Sequence, residues 1–236
     1  MRVLFTIQYL GTRYGGWQRQ LNAASIQQTL EEALEKTFGT EIRLHGAGRT
    51  DAGVHAAAQR AHADVPFEIP PRGLTLGLNA LLPEDIRIVN AEAVAGDFHA
   101  RFSAKSKTYE YRIWNGDVAD VFAAETHAHV TRPLDADGMQ SAAQLLCGTH
   151  DFAVFTVADP EVSSTVRTIE SMSVVRDGAA VRITATADGF LRYMVRRIAG
   201  SLIRVGHGQL DARELFGEAR WTAPARGLVL RDILYR

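Results

Sequence analysis

The chain has 236 residues, 46% of them hydrophobic and 22% charged, and reads as an ordinary soluble globular protein with a buried core and room for one large domain or two small ones. Its formal net charge of −1 argues against a generally adhesive nucleic-acid binder, because such domains carry a clear basic excess. A single cysteine excludes an internal disulfide framework, and neither a signal-peptide core nor an uncharged run near the ~18 residues of a membrane span is present, so no membrane partner and a cytoplasmic location are expected.

The charges are unevenly spread. Arg2, Arg13 and Arg19 precede any acid, and Arg192, Arg196, Arg197 and Arg204 repeat the pattern near the C-terminus. Acids gather instead in Glu31-Glu32-Glu35, Glu84-Asp85, Asp117-Asp120-Glu125 and Asp135-Asp137. If the basic segments converge they make one positive surface able to steer a polyanion; otherwise they are separately solvated cations on several faces.

In chain order, alternation of Val3, Phe5, Ile7 and Tyr9 with Leu4, Thr6 and Gln8 predicts a half-buried strand. Gly11 to Gln20 then interleaves Arg13 and Arg19 with Tyr14 and Trp17, a pattern suited to single-stranded nucleic acid if exposed, or to a loop pinned to the core by Trp17. Ser25 with Gln28 has the capping-box spacing, and Ile26, Leu30, Ala33, Leu34 and Phe38 follow at helical intervals before Gly39. Thr40 to His45 and Val54 to Val65 read as strands, Pro70-Pro71 opens a helix through Leu81, and Ile86 to Val94 supplies another strand.

Phe98 to Lys107 is a polar, basic segment at a plausible domain boundary, leading to a strand over Thr108 to Trp114. Tyr109, Tyr111 and Ile113 share one face of it, and Tyr111 reads as an ordinary sheet aromatic. A helix is predicted from Asp135 through Cys147, with the cysteine buried as a small hydrophobe. Val166–Val175 and Val181–Ala187 read as strands paired around Asp177-Gly178, Phe190–Val205 as a long helix with its arginines outward, and Asp211–Arg220 as a last helix. The order of elements before Lys105 is loosely echoed after it, which fits two related α+β halves sharing an antiparallel sheet.

Between two of these strands lies Gly46-Ala47-Gly48-Arg49-Thr50-Asp51-Ala52-Gly53-Val54-His55. Its glycines permit positive φ and close approach by another group, and loops with a central charged pair tend to carry function. The Gly-Lys-Ser/Thr ending of a phosphate-cradling loop is missing, so a nucleotide triphosphate site is not expected. The alternative is a tight hairpin in which Asp51 caps a turn. His45, His55 and His62 raise a metal site, but strand alternation puts His55 and His62 on opposite faces, and no metal is expected.

These motifs together resemble the tRNA pseudouridine synthase A family, the tRNA pseudouridine(38-40) synthases. Gly48 to His55 is similar to the family's signature, and Phe98-His99-Ala100-Arg101-Phe102-Ser103-Ala104 leading to Tyr109 to its second block. Phe190 to Arg196, Arg167-Thr168-Ile169 and Ala223 to Leu228 resemble three more, so the likeness runs nearly end to end. The departures are Lys107-Thr108, where arginine is common, and a compact chain whose short loops bear on which uridines are reached.

The resemblance implies an isomerase that breaks the N1-glycosidic bond of uridine at positions 38, 39 and 40 in the anticodon stem-loop of tRNA, turns the base and rejoins it through C5. It implies Asp51 as nucleophile, a carboxylate ionised at neutral pH without a partner base. Arg49 would keep Asp51 charged and oriented and meet the RNA backbone, Tyr109 would stack on the flipped uracil with its hydroxyl assisting removal of the C5 proton, and Leu228 would floor the pocket. No cofactor is implied. The implied fold is α+β, two related α/β halves (residues 1–104 and 105–236) sharing a continuous antiparallel sheet, with helices packed on it and a central active-site cleft, in a cytoplasmic homodimer. The rivals are a tRNA-binding module without catalysis and a glycoside-cleaving enzyme; the latter usually needs two carboxylates flanking the bond, where this loop supplies only Asp51.

Overall fold

The computed structural model describes residues 1–157, 162–217 and 221–235, and over these the chain is α+β, with four α-helices and ten strands. It divides into one compact unit formed by Met1–Lys105 with Leu230–Arg236, and a second formed by Ser106–Val229.

In the first unit, β1 (Arg2–Tyr9) lies between β4 (Ile86–Ala93) and β3 (His55–Asp64), antiparallel to both. Val3, Leu4, Phe5, Ile7 and Tyr9 are all buried, so β1 is a central strand with little solvent face, where alternation alone suggested a half-buried one. The short β2 (His45–Gly46) also pairs with β3, and β10 (Leu228–Tyr235) lies beside it. The strand expected over residues 40–45 is thus mostly extended loop, because only His45 and Gly46 come level with β3.

Helix α1 (Ile26–Phe38) begins and ends where its local chemistry dictates. The Ser25 side chain accepts the Gln28 amide at 3.2 Å, and Gly39 closes the helix at φ 71°. Gln28 does not complete the capping box, since its side chain donates to Glu32 at 2.9 Å. Helix α2 (Pro71–Leu81) starts on its proline and buries Leu74 and Leu78.

The second unit orders its antiparallel strands β5 (Ala104–Trp114), β9 (Ala180–Ala187), β8 (Val166–Asp177) and β7 (Gly148–Asp151). One departure from antiparallel pairing is β6 (Ala128–His129), which runs parallel to the end of β5. The β8–β9 hairpin turns at Gly178, φ 57°, as its Asp-Gly signal predicts.

Helix α3 (Ala136–Gln144) is capped by Asp135, whose side chain accepts the Gly138 amide at 2.9 Å. It ends three residues before Cys147, which is half-buried beyond the helix rather than on its apolar face. Helix α4 (Met194–Gly206) starts four residues later than its periodicity suggests, because Tyr193 takes a left-handed conformation at φ 63° and serves as N-cap. In place of the last predicted helix there is a short 3-10 turn, Ala212–Glu214, and residues 218–220 of that prediction lie outside the described residues.

Candidate active site

The Asp51 loop belongs to the first unit and is braced from behind by buried polar groups. Tyr9, from the end of β1, shares a 2.8 Å hydroxyl hydrogen bond with Thr50. Burial pushes the Tyr9 phenol up to about 12, so it stays protonated and the bond persists near neutrality. Beyond β1 the chain doubles back, and the Trp17 amide donates to the Thr50 carbonyl at 3.1 Å. Gly16, at φ 103°, comes so close that a Cβ there would lie 2.6 Å from the Thr50 carbonyl oxygen. From β3 the Gln59 side chain donates to the Gly48 carbonyl at 2.9 Å, and the Ala47 amide donates to Arg60 of the same strand at 2.7 Å.

Within the loop the Val54 amide donates to the Asp51 carbonyl at 3.1 Å, closing a turn in which Gly53 has φ 77°. Gly46 serves a different end from the positive φ its sequence context suggests. The Trp17 indole lies where its Cβ would be, with Nε1 at 2.5 Å. The loop backbone is therefore fixed on both sides of Asp51, while Asp51 itself is half-buried and Arg49 exposed. An acid set so firmly on a partly open turn can meet a substrate with little reorganisation.

Tyr109 and Leu228 belong to the second unit, where Tyr111 ties their two segments together. Tyr109 is 8% exposed and meets Phe190 edge-on at 5.2 Å. Tyr111 is fully buried, as expected of a sheet aromatic, and its hydroxyl donates to the Pro224 carbonyl at 2.8 Å. Its ring lies under Gly227, where a Cβ would sit 2.7 Å from Cζ. Gly227 ends a 3-10 turn, and Leu228, buried, opens β10 directly after it. Tyr111 thus connects the strand carrying Tyr109 to the turn that delivers Leu228.

The two arginine clusters have different fates. Arg2 pairs with Asp64 at 2.7 Å, Arg13 with Asp85 at 2.9 Å and Arg19 with the buried Glu31 at 3.3 Å. The Tyr14 hydroxyl is committed to Asp85 and Trp17 is 2% exposed, so the loop between β1 and α1 follows the packing alternative rather than presenting stacking rings. Near the C-terminus Arg192, Arg197 and Arg204 contact neutral groups among the described residues. Arg192 and Arg196 flank the Tyr193 ring at 5.1 and 5.3 Å, Arg204 lies 3.5 Å from the Trp221 ring centroid, and Arg197 donates to the Val154 and Thr156 carbonyls. These contacts position Arg192, Arg197 and Arg204 without cancelling their charge. Arg196, Arg197 and Arg204 are half-buried, not outward as periodicity suggests.

The histidines serve the backbone. His55 Nδ1 accepts the Gly11 amide at 3.0 Å, and His62 Nδ1 accepts the Ala100 amide at 3.1 Å. His62 stacks on His45 at 5.0 Å and meets His99 at 4.7 Å. Burial, then the proximity of His99, His45 and Arg2, lowers its pKa to about 4. Among the described residues no group of three or more His, Cys, Asp or Glu is arranged to hold a metal, and no helix is long and apolar enough to cross a membrane.

Sequence reasoning missed the supporting residues: Thr50, Tyr9 and Gly16 behind Asp51, and Tyr111 with Pro224 in the second unit. The signals available were Gly15-Gly16 immediately before a tryptophan, which marks a close backbone approach, and two tyrosines two apart on one strand face.

A family model described as tRNA pseudouridine synthase matches residues 6–103 and 142–235. The chain is 42% identical to tRNA pseudouridine synthase A of Myxococcus xanthus, covering 100% of this chain and 92% of that one. It is 46% identical to the protein of the same name from Rhodopseudomonas palustris (strain BisA53), over 91% of this chain and 87% of that one. The identity to tRNA pseudouridine synthase A of Ruminiclostridium cellulolyticum is 42%, over 99% of each. Among solved structures, a chain from the crystal structure of a Cbf5-Nop10-Gar1 complex aligns with 86% of this chain and 45% of its own at 11% identity, and its TM-score of 0.39 is too low to bear on the argument. With motif blocks, element order and relatives matched along nearly their full length, this chain belongs to the tRNA pseudouridine synthase family, isomerases that convert uridine to pseudouridine in tRNA.

Proposed function

We propose that Asp51 is the nucleophile of this isomerisation and that the uridines converted are those at positions 38, 39 and 40 in the anticodon stem-loop. The observation that carries the assignment is the loop itself. Its backbone is fixed through Thr50, Gly48 and Val54, yet Asp51 stays half-open at its centre. The Asp51 carboxylate starts cleavage of the N1-glycosidic bond; the freed uracil turns and rejoins the ribose through C5, the C5 proton leaves, N1 takes up a proton in its place, and the Asp51 carboxylate is regenerated. Nothing is added or lost overall, so no external redox partner or group donor enters the balance. Arg49, exposed on the same loop, meets the RNA backbone and orients Asp51. Tyr109 stacks on the flipped uracil with its hydroxyl directed to the C5 proton, and Leu228 floors the pocket. The enzyme on this reading is a cytoplasmic homodimer, which light scattering of the purified protein tests.

Replacing Asp51 by Asn separates this from a turn-capping role. Both side chains accept turn hydrogen bonds, and only the carboxylate carries the charge. Asp51→Asn is expected to bind unmodified tRNA at close to normal strength and to release no label from uridine tritiated at C5, since that hydrogen leaves only when C5 becomes the glycosidic carbon. Substantial release by a preparation free of deamidated enzyme would remove Asp51 from the mechanism. Wild-type protein that binds tRNA without any release would favour a binding module, and release of free uracil a glycoside-cleaving enzyme.

A further inference from the structure

Phe102 is 77% exposed, and an isolated exposed apolar side chain needs no explanation. What sets Phe102 apart is the turn beneath it. The Ser103 amide donates to the His99 carbonyl at 2.9 Å, while the Ser103 hydroxyl accepts the His99 amide at 3.1 Å. His99 Nδ1 accepts the Arg101 amide at 3.1 Å and lies 3.4 Å from the Phe102 amide. Three strands hold the same turn from below. Arg2 of β1 donates to the Phe98 carbonyl at 2.9 Å, His62 of β3 accepts the Ala100 amide, and the Tyr235 hydroxyl of β10 donates to the Ala100 carbonyl at 2.8 Å. Such a net of hydrogen bonds immobilises a turn whose most prominent side chain faces solvent.

The rings continue this order outward. His45 stacks on His62 at 5.0 Å, His62 meets His99 at 4.7 Å, and His99 lies 4.4 Å from Phe102 at an interplanar angle of 34°. Burial lowers the His99 pKa, which favours a neutral ring behind Phe102 near neutrality. The Arg101 guanidinium sits 5.7 Å from the Phe102 centroid, and no acid occurs between Phe98 and Tyr109. A fixed, exposed aromatic ring backed by other rings and accompanied by a cation matches the demands of a nucleobase and its phosphate: a flat surface costing little side-chain entropy, and a positive charge beside it.

We propose that Phe102 and Arg101 form a platform on which an unpaired base of the tRNA stacks, with Arg101 meeting the adjoining phosphate. The platform is a substrate-binding surface additional to the residues assigned above, and it rests on the reading that tRNA is the substrate. It does not depend on Asp51 being the nucleophile.

The test measures binding in the Asp51→Asn background, so that turnover cannot change the RNA during the experiment. The probe is an unmodified tRNA transcript, followed by the same RNA carrying 2-aminopurine at successive anticodon-loop positions. Phe102→Ala is expected to weaken binding between about 5-fold and 150-fold. Phe102→Trp should restore affinity to within about 3-fold of the parent, the larger ring keeping its stacking face. At one loop position 2-aminopurine fluorescence should be quenched by the parent and by Phe102→Trp, and released by Phe102→Ala. Arg101→Gln should reduce the slope of log affinity against log salt by about 1, a change Phe102→Ala should not produce. Unchanged affinity in Phe102→Ala would overturn the proposal. So would equal losses in the alanine and tryptophan variants, or a loss accompanied by a change in oligomeric mass, which would make the ring a protein contact. Failure of the catalytic reading shows elsewhere, as tritium release by Asp51→Asn alone, and the same binding series on tRNA already carrying pseudouridine, which undergoes no further turnover, then tests the platform independently.

Discussion

The loop carrying Asp51 and the segment joining Tyr109 to Leu228 are supported in opposite ways. The loop around Asp51 is held by hydrogen bonds of Tyr9 and Trp17 to Thr50 and of Gln59 to Gly48, with Gly16 pressed against the backbone of Thr50 and Asp51. Tyr109 and Leu228 rest on buried rings, with the Tyr111 hydroxyl as one polar anchor. Hydrogen bonds have direction and fix a backbone closely, as a reacting group requires. Apolar packing is tolerant of small shifts, which is sufficient for a surface that receives a base.

The contrast is most exposed to the insertion of one methyl group on each side. Gly16→Ala adds a Cβ at φ 103° that would lie 2.6 Å from the Thr50 carbonyl oxygen, so the loop must move. We expect a loss of roughly 2 to 4 kcal/mol in stability and about 100-fold in turnover. Gly227→Ala meets the Tyr111 ring and the Arg112 carbonyl at 2.7 and 2.8 Å, and should cost roughly 1 to 3 kcal/mol. Its effect should fall chiefly on KM. Chemical denaturation with steady-state kinetics checks both, and equal turnover losses at matched stability would erase the distinction.

A smaller change sharpens it. Tyr9→Phe leaves the buried Thr50 hydroxyl without its phenol partner and should cost about 1 to 2 kcal/mol, with kcat reduced more than affinity. Tyr111→Phe removes only the bond to Pro224, about 1 kcal/mol, and should raise KM with kcat nearly preserved. The reverse split would show that the polar brace does not serve Asp51.

The smallest effect concerns pH. His62 has a folded pKa of about 4 against an ordinary value of 6.5, so the folded state holds it neutral while the unfolded chain takes up the proton. Its contribution to stability is complete well above pH 6.5 and is lost as pH falls through 6.5 toward about 4. Between pH 7 and pH 6 the loss is at most roughly 0.7 kcal/mol. His62→Asn, whose side-chain oxygen can still accept the Ala100 amide, should flatten this part of the stability profile. An unaltered profile would assign the pH dependence elsewhere.

Local chemistry was legible in the sequence wherever cause and effect lie a few residues apart. Ser25 and Gly39 bound α1, Asp135 caps α3, Pro71 opens α2, and the turn at Gly178 joins β8 to β9. The Asp51 loop was legible for the same reason, as a run of small residues around one acid and one base. What the sequence alone could not decide is what distant segments do to each other. The basic start of the chain is neutralised by Asp64 and Asp85, partners 62 and 72 residues away from Arg2 and Arg13. Trp17 is buried because Gly46 leaves room for it, α4 begins late because Tyr193 turns left-handed, and residues from Leu230 onward return to the first unit. The rigidity of the turn under Phe102 likewise comes from Arg2, His62 and Tyr235 on three separate strands. Periodicity and capping record the energy of one segment with itself; ion pairs, close approaches and braces record the energy between segments, and that exists only once the chain has folded.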